Sequence, residues 1–266
     1  MKKLILAFLS IMLVAILVAG CGGSDNKPKD APKETAKAKK IVIGLDDNFP
    51  PMGFRDKDGK LTGFDIEMAQ EAAKRMGVEA EFKPIDWASK EAELTSKRVD
   101  MLWNGLTITE KRKEVIAFTN PYMENRQVVI VKADSPIKKL ADLSGKTVGT
   151  QDGSTSIDAL EKNPDLLKSF KDLKKYGDFI ATLLDLDSGR LDAVVIDEIV
   201  GRYYTAMKPG QYVVLEENLG TEEFGVGLRK EDKELLQNLQ KAFDEMKKDG
   251  ASGKISEKWF GSNVVK

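Results

Sequence analysis

The sequence predicts an α/β protein of two lobes, each a mostly parallel sheet flanked by helices. Three observations predict it. Short apolar runs alternate with helical patterns from Ile41 onward, the alternation restarts after Ser135–Gly145 (SPIKKLADLSG), and a strand and a helix are left over near the C-terminus. In the first block, KIVIGL (Lys40–Leu45) reads as a buried strand. FDIEMAQEAAKRMG (Phe64–Gly77) follows as an amphipathic helix closed by a glycine, because apolar residues recur at helical spacing and glycine tolerates the left-handed C-cap. EAEFKPI then reads as a strand, SKEAELTSKR as a helix and VDMLWN as a strand. In the second block, KTVGT is a strand, QDGST a loop, SIDALEK a helix, the stretch around Ile180–Ser188 another helix, and DAVVID a strand. RVD (Arg98–Asp100) and RLD (Arg190–Asp192) fall at equivalent points of the two blocks, an echo of two lobes of like fold.

The chain is expected to cross between lobes through RQVVIVK (Arg126–Lys132). TEEFGVGLR (Thr221–Arg229) reads as one further strand, followed by the helix DKELLQNLQKAFDEMKKDG, both completing the first lobe. The boundaries are therefore 41–125 plus 225–266 for lobe 1 and 126–224 for lobe 2, hinge strands included. Two crossings make a hinge. Doubly wound sheets bind ligands at the carboxyl ends of their strands, which here means between the lobes.

Composition narrows the chemistry. With 266 residues, 41% hydrophobic, the chain has core enough for one or two globular domains. A formal net charge of −1 without a basic stripe gives no sign of nucleic-acid binding. The absence of histidine removes serine–histidine catalysis and the commonest zinc ligand, and no metal or cofactor is expected. Met1-Lys2-Lys3, the apolar run Leu4–Ala19 and Gly20-Cys21 read as an export signal spanning 1–20. The run is short of the ~20 residues that cross a bilayer comfortably. VAGC resembles the lipobox of bacterial lipoproteins, which implies cleavage before Cys21 and lipidation of its sulfur. As the only cysteine, Cys21 has no intrachain partner. The polar segment 22–40 reads as a tether that lets a domain work beside the membrane.

NGLTITEKR (Asn104–Arg112) puts an arginine where a helix begins, with Thr107 and Glu110 in a capping-box spacing and Thr109 as a second candidate cap. A cation is disfavoured at the positive end of the helix dipole unless an anion sits nearby. Other strand ends carry Asp46, Phe49 and Trp87; the VDMLWN strand delivers Asn104, Gly105, Thr107 and Arg112; the second block delivers Ser154, Thr155 and Asp197. A free α-amino acid would use them all, its carboxylate forked by Arg112, its ammonium on Asp197 and its side chain under the rings. Each also has an ordinary reading: Arg112 as a solvated member of Lys111-Arg112-Lys113, Phe49 and Trp87 as core, Thr155 as a helix cap, Asp197 paired with a local cation.

The chain resembles the bacterial extracellular solute-binding proteins of the polar amino-acid ABC transporter class, family 3. The resemblance spans nearly all of Ile41–Gly261 and rests on DDNFPPMGFRDKDGKLTGFDIEMAQEAAKRMG, NGLTITEKRKEVIAFTNPY, LADLSGKTVGTQDGSTS, GRLDAVVIDE and KISEKWFG. It implies a two-lobed periplasmic-binding-protein-like fold, each lobe joined to the other by a two-strand hinge. It also implies roles: Arg112 for the ligand carboxylate, Thr107 and Thr155 as hydroxyls beside it, Asp197 for the ammonium, Phe49 and Trp87 as walls, and Asp46 for a distal cation in members that take basic amino acids. Asn104, preceded by Trp103, departs from the serine many members carry, with consequences for the pocket; WNG is similar to members assigned to cystine or related polar ligands.

The resemblance further implies a non-enzymatic substrate-binding component of an ABC importer, working by hinge closure. The expected partners are a free L-amino acid, with cystine and basic amino acids as candidates, and a membrane permease driven by a separate ATPase, since no Walker motif occurs. The expected form is a monomer, lipid-anchored on the outer face of the cell membrane, with the lysine-rich tether leaning toward a Gram-positive surface. The rival readings are a cyclohexadienyl-dehydratase-like enzyme using Glu110, Asp46 or Glu198 as its acid, and a sensor module.

Overall fold

The computed structural model describes residues 39–266. The expected export signal, Cys21 and nearly all of the tether lie outside the described residues.

Two five-stranded sheets organise the chain. In the first, Lys40–Leu45 runs parallel between Glu79–Pro84 and Met101–Leu102, and Gly227–Arg229 and Ile116–Phe118 extend the sheet antiparallel. In the second, Thr147–Gln151 runs parallel between Asp172–Tyr176 and Ala193–Asp197, and Met123–Lys132 and Tyr212–Phe224 extend it antiparallel. Each lobe is thus a parallel centre of three strands, a fourth that runs opposite to it, and a fifth that pairs antiparallel with the fourth and so runs with the centre. The direction follows from the connectivity. Centre strands end at the cleft, whereas Met123–Lys132 and Gly227–Arg229 enter their lobes from the cleft and must run the opposite way.

Two expectations about the crossings are corrected. The outward crossing begins at Met123, before the expected Arg126, because Met123 already pairs with Phe224 across the ladder. TEEFGVGLR is not one strand: Tyr212–Phe224 ends in the second sheet, and Gly225 and Val226 carry the chain over to Gly227–Arg229 in the first. The backbone tightens at this turn, with Ile108 N donating to Glu223 O at 2.8 Å and Gly225 N to Leu106 O at 2.9 Å.

The helix Phe64–Met76 shows why the sequence reads so clearly. Asp65 and Glu67 sit in its first turn and Lys74 and Arg75 in its last, matching the dipole, and Gly77 at φ 67° closes it by donating to Ala73 O and Lys74 O. Phe64, Met68, Ala69 and Ala72 bury one face in the core with Phe243 and Met246 of the helix Lys233–Lys248.

The RVD/RLD echo has a physical basis. In both lobes a helix ends in a left-handed residue, Lys97 at φ 63° or Gly189 at φ 76°. The next arginine returns to an acid of that helix, Arg98 Nε to Glu93 Oε1 at 2.8 Å and Arg190 Nε to Asp185 Oδ1 at 2.9 Å. The aspartate then accepts the backbone N–H at the start of the neighbouring strand: Asp100 Oδ2 from Val42 N at 2.9 Å, Asp192 Oδ2 from Thr147 N at 2.8 Å. Asp100 also pairs with the buried Arg229 at 3.0 Å.

Leaving one such N–H without its acceptor costs roughly 1–3 kcal/mol. Asp192→Ala is therefore expected to lower unfolding stability by that amount in urea titrations. Asp100→Ala is expected to cost more, because it also strips a partner from Arg229.

Candidate functional site

Eight of the ten residues singled out in the sequence line one narrow cavity between the sheets: Phe49, Trp87, Gly105, Thr107, Arg112, Ser154, Thr155 and Asp197, joined by Gln151. The remaining two, Asp46 and Asn104, stand behind the wall. Asn104 is buried and donates from Nδ2 to Asp46 O at 2.6 Å, so it holds the loop that carries Asp46 rather than facing the cavity. Trp103 packs edge-on against Phe243 in the lobe-1 core, with ring centroids 5.1 Å apart.

The helix after the TIT turn is a single turn, Glu110–Lys113, and its cap is Thr109, whose hydroxyl accepts Arg112 N at 3.1 Å. The Thr107–Glu110 capping box does not form, because the Thr107 hydroxyl is engaged across the cleft. Arg112 is only 8% exposed. Its Nη1 donates to Thr107 O at 2.9 Å, its Nη2 reaches Gly153 O of the opposite lobe at 3.1 Å, and Glu91 lies 3.4 Å from Nε. Burial pulls the guanidinium below its ordinary value, opposed by the charges of Glu91, Asp158, Glu222 and Asp197. Lys90, also buried, donates to the same Gly153 carbonyl at 2.7 Å, and burial followed by the Arg112 charge lowers it to about 8.

Opposite this basic corner lies an acidic one. Asp197 ends the strand Ala193–Asp197 and is 4% exposed. Its Oδ1 accepts from Asn125 Nδ2 at 2.7 Å and Gln127 Nε2 at 3.0 Å. Those amides also donate to Glu222 Oε1, at 2.7 and 2.9 Å. Burial, then the adjacent Glu222 carboxyl, push Asp197 well above the usual carboxylate range. Among the described residues no ion pair joins Arg112 to either acid.

At the side-chain end, Asp46 Oδ2 accepts from Gln151 Nε2 at 2.6 Å across the cleft, and Asp46 Oδ1 accepts Asn48 N at 2.9 Å. Burial raises Asp46 to about 6. Gln151 Oε1 is buried with no partner, an acceptor at the cavity wall. Phe49 and Phe179 close the same end from opposite lobes, with centroids 6.0 Å apart.

The Asn104–Gly105 turn is held from behind by Asp65. Its Oδ2 accepts both Gly105 N at 2.7 Å and the Tyr122 hydroxyl at 2.9 Å, and burial raises its carboxyl to about 7 despite those donors. A buried acid that takes two donors joins helix, turn and crossing strand.

Sequence reading passed over Gln151, Glu222, Asn125, Gln127, Lys90 and Asp65. Gln151 had a signal: counting four residues from Val42 and from Thr147, the two strand starts capped by the echoing aspartates, lands on Asp46 and Gln151. The repeat therefore sets these two residues face to face. Glu222, Asn125 and Gln127 had no such signal, because only the ladder that pairs Asn125 with Glu222 brings them together.

Comparison with known proteins accords with this geometry. The chain is 36% identical to the L-cystine-binding protein TcyJ of Escherichia coli (strain K12), over 98% of this chain and 97% of that one. It is 34% identical to the L-cystine-binding protein TcyA of Bacillus subtilis (strain 168), over the full length of both. Its structure matches that of an ABC uptake transporter substrate-binding protein from Streptococcus pneumoniae with bound histidine, at a TM-score of 0.82 and 42% identity, covering 85% of this chain and 94% of that one. The family model of the bacterial extracellular solute-binding proteins, family 3, matches residues 41–262, and the chain belongs to that family.

Proposed function

We propose that this chain captures one free amino acid between its lobes by hinge closure and hands it to an ABC permease powered by a separate ATPase. The observation that carries this reading is the placement of opposite, mutually unpaired charges on one small cavity: Arg112 from lobe 1 and Asp197 from lobe 2. A zwitterionic head supplies an opposite charge to each, beside the Glu91 that already lies 3.4 Å from Arg112, and only the closed arrangement lets one molecule reach both. The hydroxyls of Thr107 and Thr155, 3.1 Å apart, sit between the two charges, where carboxylate and ammonium meet.

The side-chain end selects for hydrogen-bond donors. Gln151 Oε1 lacks a donor and Asp46 stands behind it, so cystine or a basic amino acid fits better than an aliphatic one. The relatives that bind cystine support the same choice. Of the acids an elimination reaction would recruit, Glu110 points into solvent beside Lys113, Glu198 is held by Arg126 and Arg202, and Asp46 is tied to Gln151 outside the cavity lining. That arrangement favours binding over catalysis. Anchoring through lipidated Cys21 would hold the domain at the outer membrane face as a monomer.

A thermal-shift screen of the purified protein against the common amino acids and cystine identifies the ligand, because binding to the native state raises the melting temperature. Arg112→Ala and Asp197→Ala are each expected to remove the shift while the unliganded melting point stays close to that of the parent. Losing one charge-assisted bond corresponds to roughly 1.5–3 kcal/mol, about 10- to 150-fold in affinity. Normal shifts in both variants would refute the site.

Closure has its own probe. Gly153 sits at φ 71°, and an added Cβ would come within 2.8 Å of Ala88 Cα on the facing lobe. Gly153→Ala is expected to wedge the lobes apart and weaken binding without touching a charge, visible by calorimetry as a loss of affinity of about tenfold or more.

The acid side of pH dependence follows from Asp46. Its carboxyl is raised to about 6, so the anionic form is lost as pH falls through that value. Affinity for L-arginine is expected to fall below pH 6 by up to about tenfold per unit, and Asp46→Asn to flatten that limb of the profile.

A further inference from the structure

Glu222 has no part in the reading above, yet its surroundings point to one. It lies on the second crossing strand, and its Oε1 collects three donors: Asn125 Nδ2 at 2.7 Å, Gln127 Nε2 at 2.9 Å and the Thr107 hydroxyl at 2.9 Å. Two of these donors are shared with Asp197 Oδ1, so both acids point into the same few ångströms. Among the described residues neither carboxyl has an ion-pair partner. Arg112 faces them across the cavity, bound to Thr107 O, while Asp158, Lys162 and Lys111 line the adjoining cleft. On the neighbouring positions, Glu198 is taken by Arg126 and Arg202, and Glu223 by Lys266. Asp197 is buried and Glu222 half-buried, so two neighbouring anions without an ion-pair partner are costly there, and a proton or a cation between them removes the cost.

The hydrogen bonds also have a direction. The Thr107 hydroxyl donates its one proton to Glu222 at 2.9 Å, so across the 3.1 Å contact with Thr155 it accepts and Thr155 donates. Glu222 thereby turns the Thr107 oxygen into an acceptor facing the cavity. An ammonium arriving there meets three acceptors, Asp197, Glu222 and Thr107, for its three N–H groups.

We propose that Asp197 and Glu222 form one two-carboxyl seat that holds a single shared proton without ligand and exchanges it for the ligand's ammonium, so that each capture releases one proton. The balance is simple. The carboxyl–carboxylate pair and R–NH3+ become two carboxylates around R–NH3+, and the proton leaves to solvent. This rests on the amino-acid-binding reading and adds to it a proton count and a second ammonium-holding residue, supplied by the hinge rather than by either lobe's loops. It also favours primary amines, because a hydroxy acid brings no charge to replace the proton.

The test is calorimetry of the whole protein with L-cystine and with L-arginine at pH 7.0, repeated in phosphate and in Tris, whose ionisation enthalpies differ. About one proton released per ligand bound is expected; Asp46, which ionises near pH 6, adds only a fraction at this pH. Glu222→Gln keeps an acceptor for Thr107 and is expected to bind more weakly with clearly less proton release than the parent, the remainder coming from the burial of Asp197. Thr107→Val is expected to bind more weakly yet still release about one. Binding by the parent protein without proton release overturns the proposal and leaves the amino-acid reading standing, as does undiminished release from Glu222→Gln. Failure of every amino acid in the screen to bind overturns the amino-acid reading itself.

Discussion

The structure depends on keeping a guanidinium and a pair of carboxyl groups out of water without pairing them with each other. Arg112 and Asp197 are both almost wholly buried, and both carry the desolvation cost that burial of a charge entails. Dipoles surround both, carbonyls of Thr107 and Gly153 around the arginine and side-chain amides of Asn125 and Gln127 around the acid, and the half-exposed Glu91 lies 3.4 Å from the arginine. Dipoles soften the cost without cancelling the charge, which leaves two fields of opposite sign facing each other over the width of a small molecule. A zwitterion completes both at once, and a ligand lacking either charge leaves one of them uncompensated.

Closure is the second consequence of the same arrangement. The carbonyl of Gly153 receives Arg112 and Lys90 together, so the loop carrying Ser154 and Thr155 is drawn against the first lobe by the very cations that would otherwise repel. At the other end Asp46 meets Gln151 and Phe49 meets Phe179. These contacts join the sheets through loops, while the antiparallel pair Met123–Lys132 and Tyr212–Phe224 joins them through backbone. The crossing strands also carry Glu222, whose carboxyl accepts from Asn125, Gln127 and Thr107 beside Asp197.

What was legible in the sequence was whatever depends on local pattern. The helix Phe64–Met76 announced itself by period, charge order and Gly77, and the parallel strands by their apolar runs. The RVD and RLD triplets were legible as an echo but not as chemistry, since the backbone N–H each aspartate accepts lies 58 and 45 residues away in sequence. Eight of the ten residues picked out share one cavity because they sit at strand ends, and strand ends are readable. Asn104 was misjudged for a reason the sequence could not supply: Gly105 is pinned by Asp65, and that fixes Asn104 facing backward into the Asp46 loop. Thr107 looked like a cap because capping is the usual fate of a threonine three residues before a glutamate, and only the arrival of Thr155 and Glu222 takes its hydroxyl elsewhere.

Buried acids fall into two classes here, and the difference lies in what replaces their charge. Asp65 accepts Gly105 N–H and the Tyr122 hydroxyl and is raised to about 7, yet it touches no cavity. Its folded pKa lies above the unfolded value, so its contribution to stability is fullest below the unfolded carboxylate range and declines as pH rises toward 7. It is a structural bracket that trades stability at neutral pH for a fixed turn under Gly105. Asp197 is raised by the same burial plus a neighbouring acid, but its carboxyl faces the cavity, where a ligand can supply the missing positive charge. The first acid can be relieved only by a proton, the second by a proton or by an ammonium. That choice is what separates a buried carboxyl that only fixes a turn from one that a ligand in the cavity can relieve.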